Sequence, residues 1–273
     1  MHKEQVEKAE TFRKLHHSGK ILVLLNAWDA ASARIFELAG ASAVATTSSG
    51  LGVANGYPDG QYITRDRLVD AVRRITRVIK VPLTVDLEKG YGNNAAEVVE
   101  TVRAIADAGG IGMNIEDSTE PPALLVEKIK AIRAFAKTVG LPFFVNARCD
   151  VYLRGIGEKE TRFDETMRRI KSYAEAGADS AFVPGLTDSA TIGRIAKESP
   201  LPLNVMLSPG LPPVAELQAL GVARLSIGGA AAFAALSLTR KIADELLNHG
   251  TYHAFAENQP IPHVEVLKMF PKE

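Results

Sequence analysis

A single (β/α)8 barrel is the fold this chain predicts, on three observations. Eight short β-rich runs alternate with amphipathic segments along about 230 residues. No Gly/Ser/Pro-rich linker interrupts them, so one barrel domain is expected over residues 1–273. The first run leads into NAWDAAS, whereas an open doubly wound sheet, the main competitor, places a glycine-rich phosphate turn there.

Taken in order, the chain opens on MHKEQVEKAETFRKL, which is charged and helix-like. The β-rich runs follow: ILVLLN (21–26), SAVATTS (42–48), PLTVDLE (82–88), IGMNIED (111–117), PFFVNAR (142–148), SAFVPG (180–185), PLNVM (202–206) and ARLSIGG (223–229). Between them lie AASARIFELAG, TRDRLVDAVRRITRVIK, NAAEVVETVRAIADAGG, ALLVEKIKAIRAFAKTVG, FDETMRRIKSYAEAGA and VAELQALG, whose apolar residues repeat at three and four. Several end in Gly or Ala-Gly, where a left-handed helix cap belongs. The last segment, AAAFAALSLTRKIADELLNHGTYHAF, reads as an extended helix too long and too apolar for a free tail. Residues 230–273 are therefore expected to pack on a neighbouring subunit or to cover the barrel wall.

Composition excludes several classes of partner. Lys+Arg and Asp+Glu balance at 32 each, which leaves no electrostatic case for nucleic acid or an anionic membrane. No run reaches the roughly 20 apolar residues of a membrane span, and the start has no apolar core of signal-peptide length. The lone cysteine, Cys149, excludes an internal disulfide and a cysteine-built zinc site. A soluble cytoplasmic protein with a small-molecule partner, or a second copy of itself, is the expectation.

In a barrel of this kind the chemistry gathers at the C-terminal strand ends. Those ends carry Asn26 and Asp29, then Ser48, Ser49 and Gly50, then Asp86 and Glu88, Glu116 and Asp117, Asn146, Arg148 and Asp150, and finally Asn204 and Ser226. None of the six histidines falls among them, which disfavours a Ser-His triad or a histidine-ligated zinc. Asp86 and Glu88 stand two apart on a strand and so project to one side about 7 Å apart. Together with Glu116 on the next strand they would repel one another in one cleft unless a cation lay between them, and an oxygen-only donor set suits Mg²⁺. Taken singly, each acid also fits a helix cap or a pairing with a loop lysine such as Lys89. Ser48-Ser49-Gly50 offers hydroxyls and N–H groups to a carboxylate or phosphate. Arg148 suits either a bidentate grip on an oxyanion or an ion pair with Asp150 or Glu116. Cys149, on the opposite strand face, is expected to be a buried spectator. Asp29 is expected to cap the first barrel helix. Gly90 and Gly92 are expected to keep the loop after Glu88 thin where substrate approaches, and to supply backbone angles closed to other residues.

On NAWDAASARIFELAGASAVATTSSGL, GYPDG, VDLEKGYG, NIED, NARCDVYLRG, YAEAGADSAFVPG and PLNVM, the chain resembles the isocitrate lyase/phosphoenolpyruvate mutase superfamily over almost its whole length. The resemblance implies a Mg²⁺-dependent barrel enzyme acting on small α-oxocarboxylates, as a homodimer or homotetramer that exchanges its last helix. It makes Asp86 the main metal anchor, with Glu88 and Glu116 holding the ion directly or through water. It gives the substrate carboxylate to Ser49, Gly50 and Leu51, the substrate oxygens to Arg148, a water or metal ligand to Asp59, and a further polar contact to Asn204. The stretch IEDSTEPPALLVEKIK lacks the lysine- and cysteine-containing motif of the isocitrate and methylisocitrate lyases, and Ser118 stands where mutase members place a lysine. Glu88 stands where aspartate is more common. The activity this implies is a Mg²⁺-dependent lyase that cleaves a C–C bond, oxaloacetate decarboxylase-like or 2-methylisocitrate lyase-like. Its alternatives are phosphoenolpyruvate mutase or phosphonopyruvate hydrolase-type P–C chemistry, and an oxo-acid-binding barrel with little catalysis.

Overall fold

The computed structural model describes residues 3–270. Eight parallel strands close into a barrel in chain order, the eighth pairing with the first. They are β1 (Leu22–Ala27), β2 (Val44–Thr46), β3 (Leu83–Asp86), β4 (Gly112–Glu116), β5 (Phe144–Arg148), β6 (Ser180–Phe182), β7 (Leu203–Met206) and β8 (Arg224–Ser226), and each overlaps a predicted run. The helices are α1 (Lys3–Leu15), α2 (Ala30–Leu38), α3 (Ser48–Ala54), α4 (Arg65–Val78), α5 (Ala95–Asp107), α6 (Pro122–Val139), α7 (Arg162–Ala176), α8 (Ser189–Glu198), α9 (Val214–Ala219), α10 (Ala230–Asp244), α11 (His253–Glu257) and α12 (His263–Lys268). Among the described residues no helix is long and apolar enough to cross a membrane.

Local chemistry sets the boundaries. Asp29 starts α2 through a capping box: its carboxylate accepts from the Ser32 N–H at 2.7 Å, and Ser32 Oγ accepts from the Asp29 N–H at 3.1 Å. Helices α6 and α7 end on Gly140 and Gly177, both in the left-handed region (φ 66° and 105°). The main apolar core lies between the strands and the helix ring, where Val85, Met113, Ile115 and Val145 are buried with Val98, Val102, Ile105 and Ile129.

The lumen is polar. Asn114, Asn146, Ser180 and Asn204 stand two residues before the ends of β4, β5, β6 and β7, on the inward face, and Arg224 and Ser226 join them from β8. Asn114 Oδ1 accepts from Asn146 Nδ2 (2.8 Å) and Arg224 Nη2 (3.2 Å). Arg224 Nε donates to Ser226 Oγ, which donates to Asn204 Oδ1, both at 3.1 Å. Helix α1 lies across the N-terminal end of β5, where the rings of Phe12 and His16 pack on Phe144 (centroids 4.9 and 4.3 Å). Burial, helped by the charge of Arg224, lowers the His16 pKa to about 3 and keeps that ring neutral.

Two elements differ from expectation. Ser48 is not the end of a strand but the first residue of α3, whose N-cap is Thr47. The long terminal helix is broken: α10 runs into a π-helical turn (Glu245–His249) that stops at Gly250 (φ 67°), and the chain then folds back as α11 and α12. Arg34 Nε donates to Met269 O at 2.8 Å, so this end of the chain rests on α2 of its own barrel.

Candidate active site

The strand ends of β3, β4 and β5 bring Asp86, Glu88, Glu116 and Arg148 to one mouth. Asp86 is fixed by backbone donors, its two oxygens accepting from Ser48 N–H (3.1 Å) and Glu88 N–H (3.4 Å). Glu88 is buried and held by the loop that carries Asp59: its Oε1 accepts from Gln61 N–H (3.0 Å) and Tyr91 Oη–H (3.2 Å), while Gln61 Oε1 accepts from Tyr91 N–H (2.8 Å). Gln61, Glu88 and Tyr91 all adopt positive φ (61°, 48° and 54°), a strained backbone that these bonds hold in place.

The electrostatics of the cluster are one-sided. Burial, then the neighbouring charges of Asp86 and Asp59, raise the Glu88 pKa to about 7. Burial pushes the Glu116 carboxyl up to about 8 even though Arg148 Nη1 lies 2.6 Å from its Oε2. The ion pairs at this mouth run to Glu116, Glu120 and Asp150, and among the described residues none reaches Asp59, Asp86 or Glu88.

Do these residues suit Mg²⁺? Three carboxylates without a full counter-charge make the hard oxygen donor set that this cation takes. Among the described residues no three His, Cys, Asp or Glu side chains form a ready metal cage. Mg²⁺ keeps several waters and needs only one or two carboxylates beside substrate oxygens, so the donor set fits.

Arg148 meets both of its sequence alternatives partway. Its Nε and Nη2 grip the two oxygens of Asp150 at 2.6 and 3.1 Å and its Nη1 pairs with Glu116, so the ion pairs are formed and little of the fork faces outward. Asp150 is fully buried and also accepts from Arg154 Nε at 3.1 Å. Arg154 has no place among the predicted site residues because it stands beyond the strand end, though the motif NARCDVYLRG contains it.

The remaining predicted positions divide. Ser49 Oγ lies 3.1 Å from Thr47 Oγ1 at the start of α3, beside the Ser48 N–H that holds Asp86. The Gly50 N–H faces Thr47 Oγ1 at 3.5 Å, and the Leu51 N–H is committed to Thr47 O at 2.9 Å, so Leu51 has no free donor for a carboxylate. Gly50 itself serves packing, since a Cβ there would fall 2.6 Å from Thr47 Cγ2 and 2.8 Å from Trp28 Cβ. Asn204 is enclosed in the lumen network rather than at the mouth, because it stands one inward position below the strand end. Asp59 is exposed on the loop latched to Glu88. Cys149 is buried with its thiol pushed up to about 12, mainly by burial, which makes it a poor nucleophile. Gly90 does need its positive φ (104°), but the space both glycines clear belongs to α5: a Cβ on Gly90 would meet Val98 at 2.8 Å and one on Gly92 would meet Glu97 Cβ at 2.6 Å.

The fold and mouth together define a (β/α)8 barrel with a carboxylate cluster at its C-terminal face. Residues 12–247 match the family described as Phosphoenolpyruvate phosphomutase. The chain belongs to this family, and with it to the isocitrate lyase/phosphoenolpyruvate mutase superfamily of lyases and mutases. It is similar to a Burkholderia cenocepacia J2315 protein provisionally assigned as a phosphonomutase (40% identity, TM-score 0.83, covering 87% of this chain and 99% of that one). A second protein of that strain, provisionally assigned as a lyase/mutase, shares 36% identity with a TM-score of 0.89 over 98% of this chain and 96% of its own. The oxaloacetate decarboxylase of Ectopseudomonas mendocina (strain ymp) is 34% identical over 190 residues, 67% of this chain and 65% of that one.

Proposed function

We propose that the protein is a Mg²⁺-dependent lyase that cleaves a C–C bond in a small α-oxocarboxylate, with oxaloacetate-type decarboxylation as the leading case. The observation that carries this reading is the cluster of Asp86, Glu88 and Glu116, short of a cation and set beside Arg148. Similarity to an oxaloacetate decarboxylase supports the lyase direction. The stretch IEDSTEPPALLVEKIK carries no cysteine and has Ser118 at the mutase lysine position, which supports neither the acid of the methylisocitrate type nor the lysine of the mutase type.

Asp86 would anchor the ion, with Glu88 and Glu116 beside it, directly or through water. When bound, Mg²⁺ supplies Lewis-acid polarisation of the substrate's carboxylate and oxo oxygens. The protein's own contribution is orientation and charge. Ser49 Oγ receives the substrate carboxylate, and the positive charge of Arg148, fixed in place by Asp150 and Glu116, stabilises the oxo oxygen on which charge develops as the bond one carbon beyond breaks. Burial of Glu116 and Glu88 keeps water from screening those interactions. Asp59, on the rim loop, orients a water that protonates the carbon next to the oxo group in the enolate that remains once CO2 has left.

Purified protein with Mg²⁺, assayed against oxaloacetate, 2-methylisocitrate, malate-type acids and phosphonopyruvate, is expected to turn over a C–C substrate. Turnover of phosphonopyruvate alone would replace the lyase reading with P–C chemistry. Asp86→Ala is expected to lower Mg²⁺-dependent activity by at least about a hundredfold with an unchanged circular dichroism spectrum, and unchanged activity would sink the metal assignment. The same reading takes the protein as a homodimer or homotetramer.

A further inference from the structure

Arg154 differs from Arg148 in how its guanidinium is used. Arg148 spends Nε, Nη1 and Nη2 on Asp150 and Glu116, and its side chain is only 14% exposed. Arg154 is tethered through Nε alone, to Asp150 Oδ2 at 3.1 Å, and its N–H closes a turn onto Asp150 O at 2.9 Å. Its Nη2 stands 4.0 Å from Glu116 Oε1, beyond hydrogen-bond reach, and among the described residues neither Nη donates to the protein. Four N–H groups in a planar fork are thus presented, on a side chain 42% exposed, beside the carboxylate cluster.

The anchoring makes this placement specific. Asp150 is fully buried, and its own N–H donates to Asp117 Oδ1 at 2.9 Å. Asp117 in turn is held by Arg169 Nη1 (2.8 Å) and Tyr173 Oη–H (2.6 Å) from α7. A rigid carboxylate therefore fixes two guanidinium groups side by side. Two like charges held together repel one another and draw an anion between or above them. One is consumed by protein acids and the other is open to solvent.

We propose that Arg154 is the specificity-determining residue of this site, selecting 2-oxo acids that carry a second anionic group on the carbon beyond the oxo group over those that do not. A carboxylate there is the expected source of that charge, and a phosphonate shares the chemistry; a fork with two free Nη groups binds either in bidentate fashion. The inference rests on the oxo-acid reading above, in which Ser49 and the acid cluster hold the first carboxylate. It adds which substrates that site prefers.

Calorimetry in Mg²⁺-containing buffer tests this with four ligands: oxalate, whose two carboxylates are joined directly, and pyruvate, neither of which has an anionic group on a carbon beyond an oxo group, and 3,3-difluorooxaloacetate and phosphonopyruvate, which carry one there as carboxylate or phosphonate. Arg154→Gln is expected to weaken the ligands with the second anion by about tenfold or more while oxalate and pyruvate move less than about twofold. Arg154→Lys, which keeps the charge, is expected to restore a large part of the difference. Melting temperatures of both variants, measured alongside, show that the fold is intact. Equal weakening of all four ligands would assign Arg154 a structural role and overturn the proposal, as would no change in any of them. Should the unaltered protein bind oxalate and pyruvate yet show no preference over pyruvate for the pair with an anion beyond the oxo group, the specificity proposal alone falls. Should it bind none of the four, the oxo-acid reading falls and the specificity proposal with it. A loss confined to phosphonopyruvate would name the phosphonate as the source of the charge.

Discussion

Glu88, a metal ligand in the function proposed above, is also a burden on the fold. Its carboxyl titrates in the folded protein at about 7, against 4.5 for an unperturbed glutamate, chiefly because it is buried. As pH rises from about 4.5, the unfolded chain gives up this proton first and the folded protein keeps it. Stability from this group is therefore greatest at low pH and is lost between about pH 4.5 and 7, with the full penalty above that. Metal-free protein is expected to melt on the order of 5 °C lower at pH 8 than at pH 5.5 on this account, and Glu88→Gln is expected to reduce that slope and leave the part that Glu116, pushed up to about 8, contributes with the same sign. If Glu88 holds Mg²⁺ as proposed, the ion takes the deprotonated form, so its addition near pH 6.5 is expected to release protons, seen as a dependence of the calorimetric heat on the ionisation enthalpy of the buffer. A pH-independent melting temperature together with proton-neutral Mg²⁺ binding would remove Glu88 from the metal site. The acids themselves were legible as a strand-end pattern. The latch from Gln61 and Tyr91 was not, because it depends on two loops meeting and on three residues at positive φ that no periodicity marks.

At the scale of elements, the loop from β3 to α5 carries the site and is shaped by glycine. Gly92 sits against the first turn of α5, where a Cβ would lie 2.8 Å from the Val98 N and 2.6 Å from Glu97 Cβ. The expected opening toward substrate is thus a close docking of loop on helix, and it holds Tyr91 and Glu88 where the acids converge. Gly92→Ala is expected to cost about 1–3 kcal/mol of stability by forcing that contact apart. It is also expected to weaken Mg²⁺ binding by about tenfold with the helix content unchanged, as read by chemical denaturation and calorimetry; retention of both values would show that the contact relaxes freely. The eight strands were legible because their runs are short, apolar and separated by helices of period 3.6. Helix α3 was not, since SSGLGVA contains two glycines and two serines and forms under the Thr47 cap with Gly50, Leu51 and Gly52 buried. Arg154 was missed for a related reason: a residue on a loop reaches the mouth only because buried Asp150 turns it inward.

For the whole molecule, the barrel closes on itself but its C-terminal segment leaves many of its apolar side chains exposed. On α10 only Ala232 is buried, while Leu247, Val264 and Leu267 are 84%, 62% and 62% exposed and Phe255 is 51% exposed. The apolar character of residues 230–273 was legible in the sequence; its path was not, because Gly250 reverses the chain where helical periodicity runs on. Met269 and Phe270 settle on the chain's own α2 and α4, yet the outward side chains form an apolar surface of the kind that self-association covers. The homo-oligomer we propose would bury them against a second copy. Sedimentation at micromolar protein is expected to give a dimer or tetramer. Leu247→Asp combined with Leu267→Asp is expected to shift it to monomer by placing two desolvated charges in the contact, a change of several kcal/mol in association free energy. Because neither residue lies at the mouth, the doubly substituted protein separates assembly from chemistry: Mg²⁺ affinity unchanged in the monomer would make the site self-contained in one chain, and a monodisperse monomer from the unaltered protein would overturn the oligomer outright.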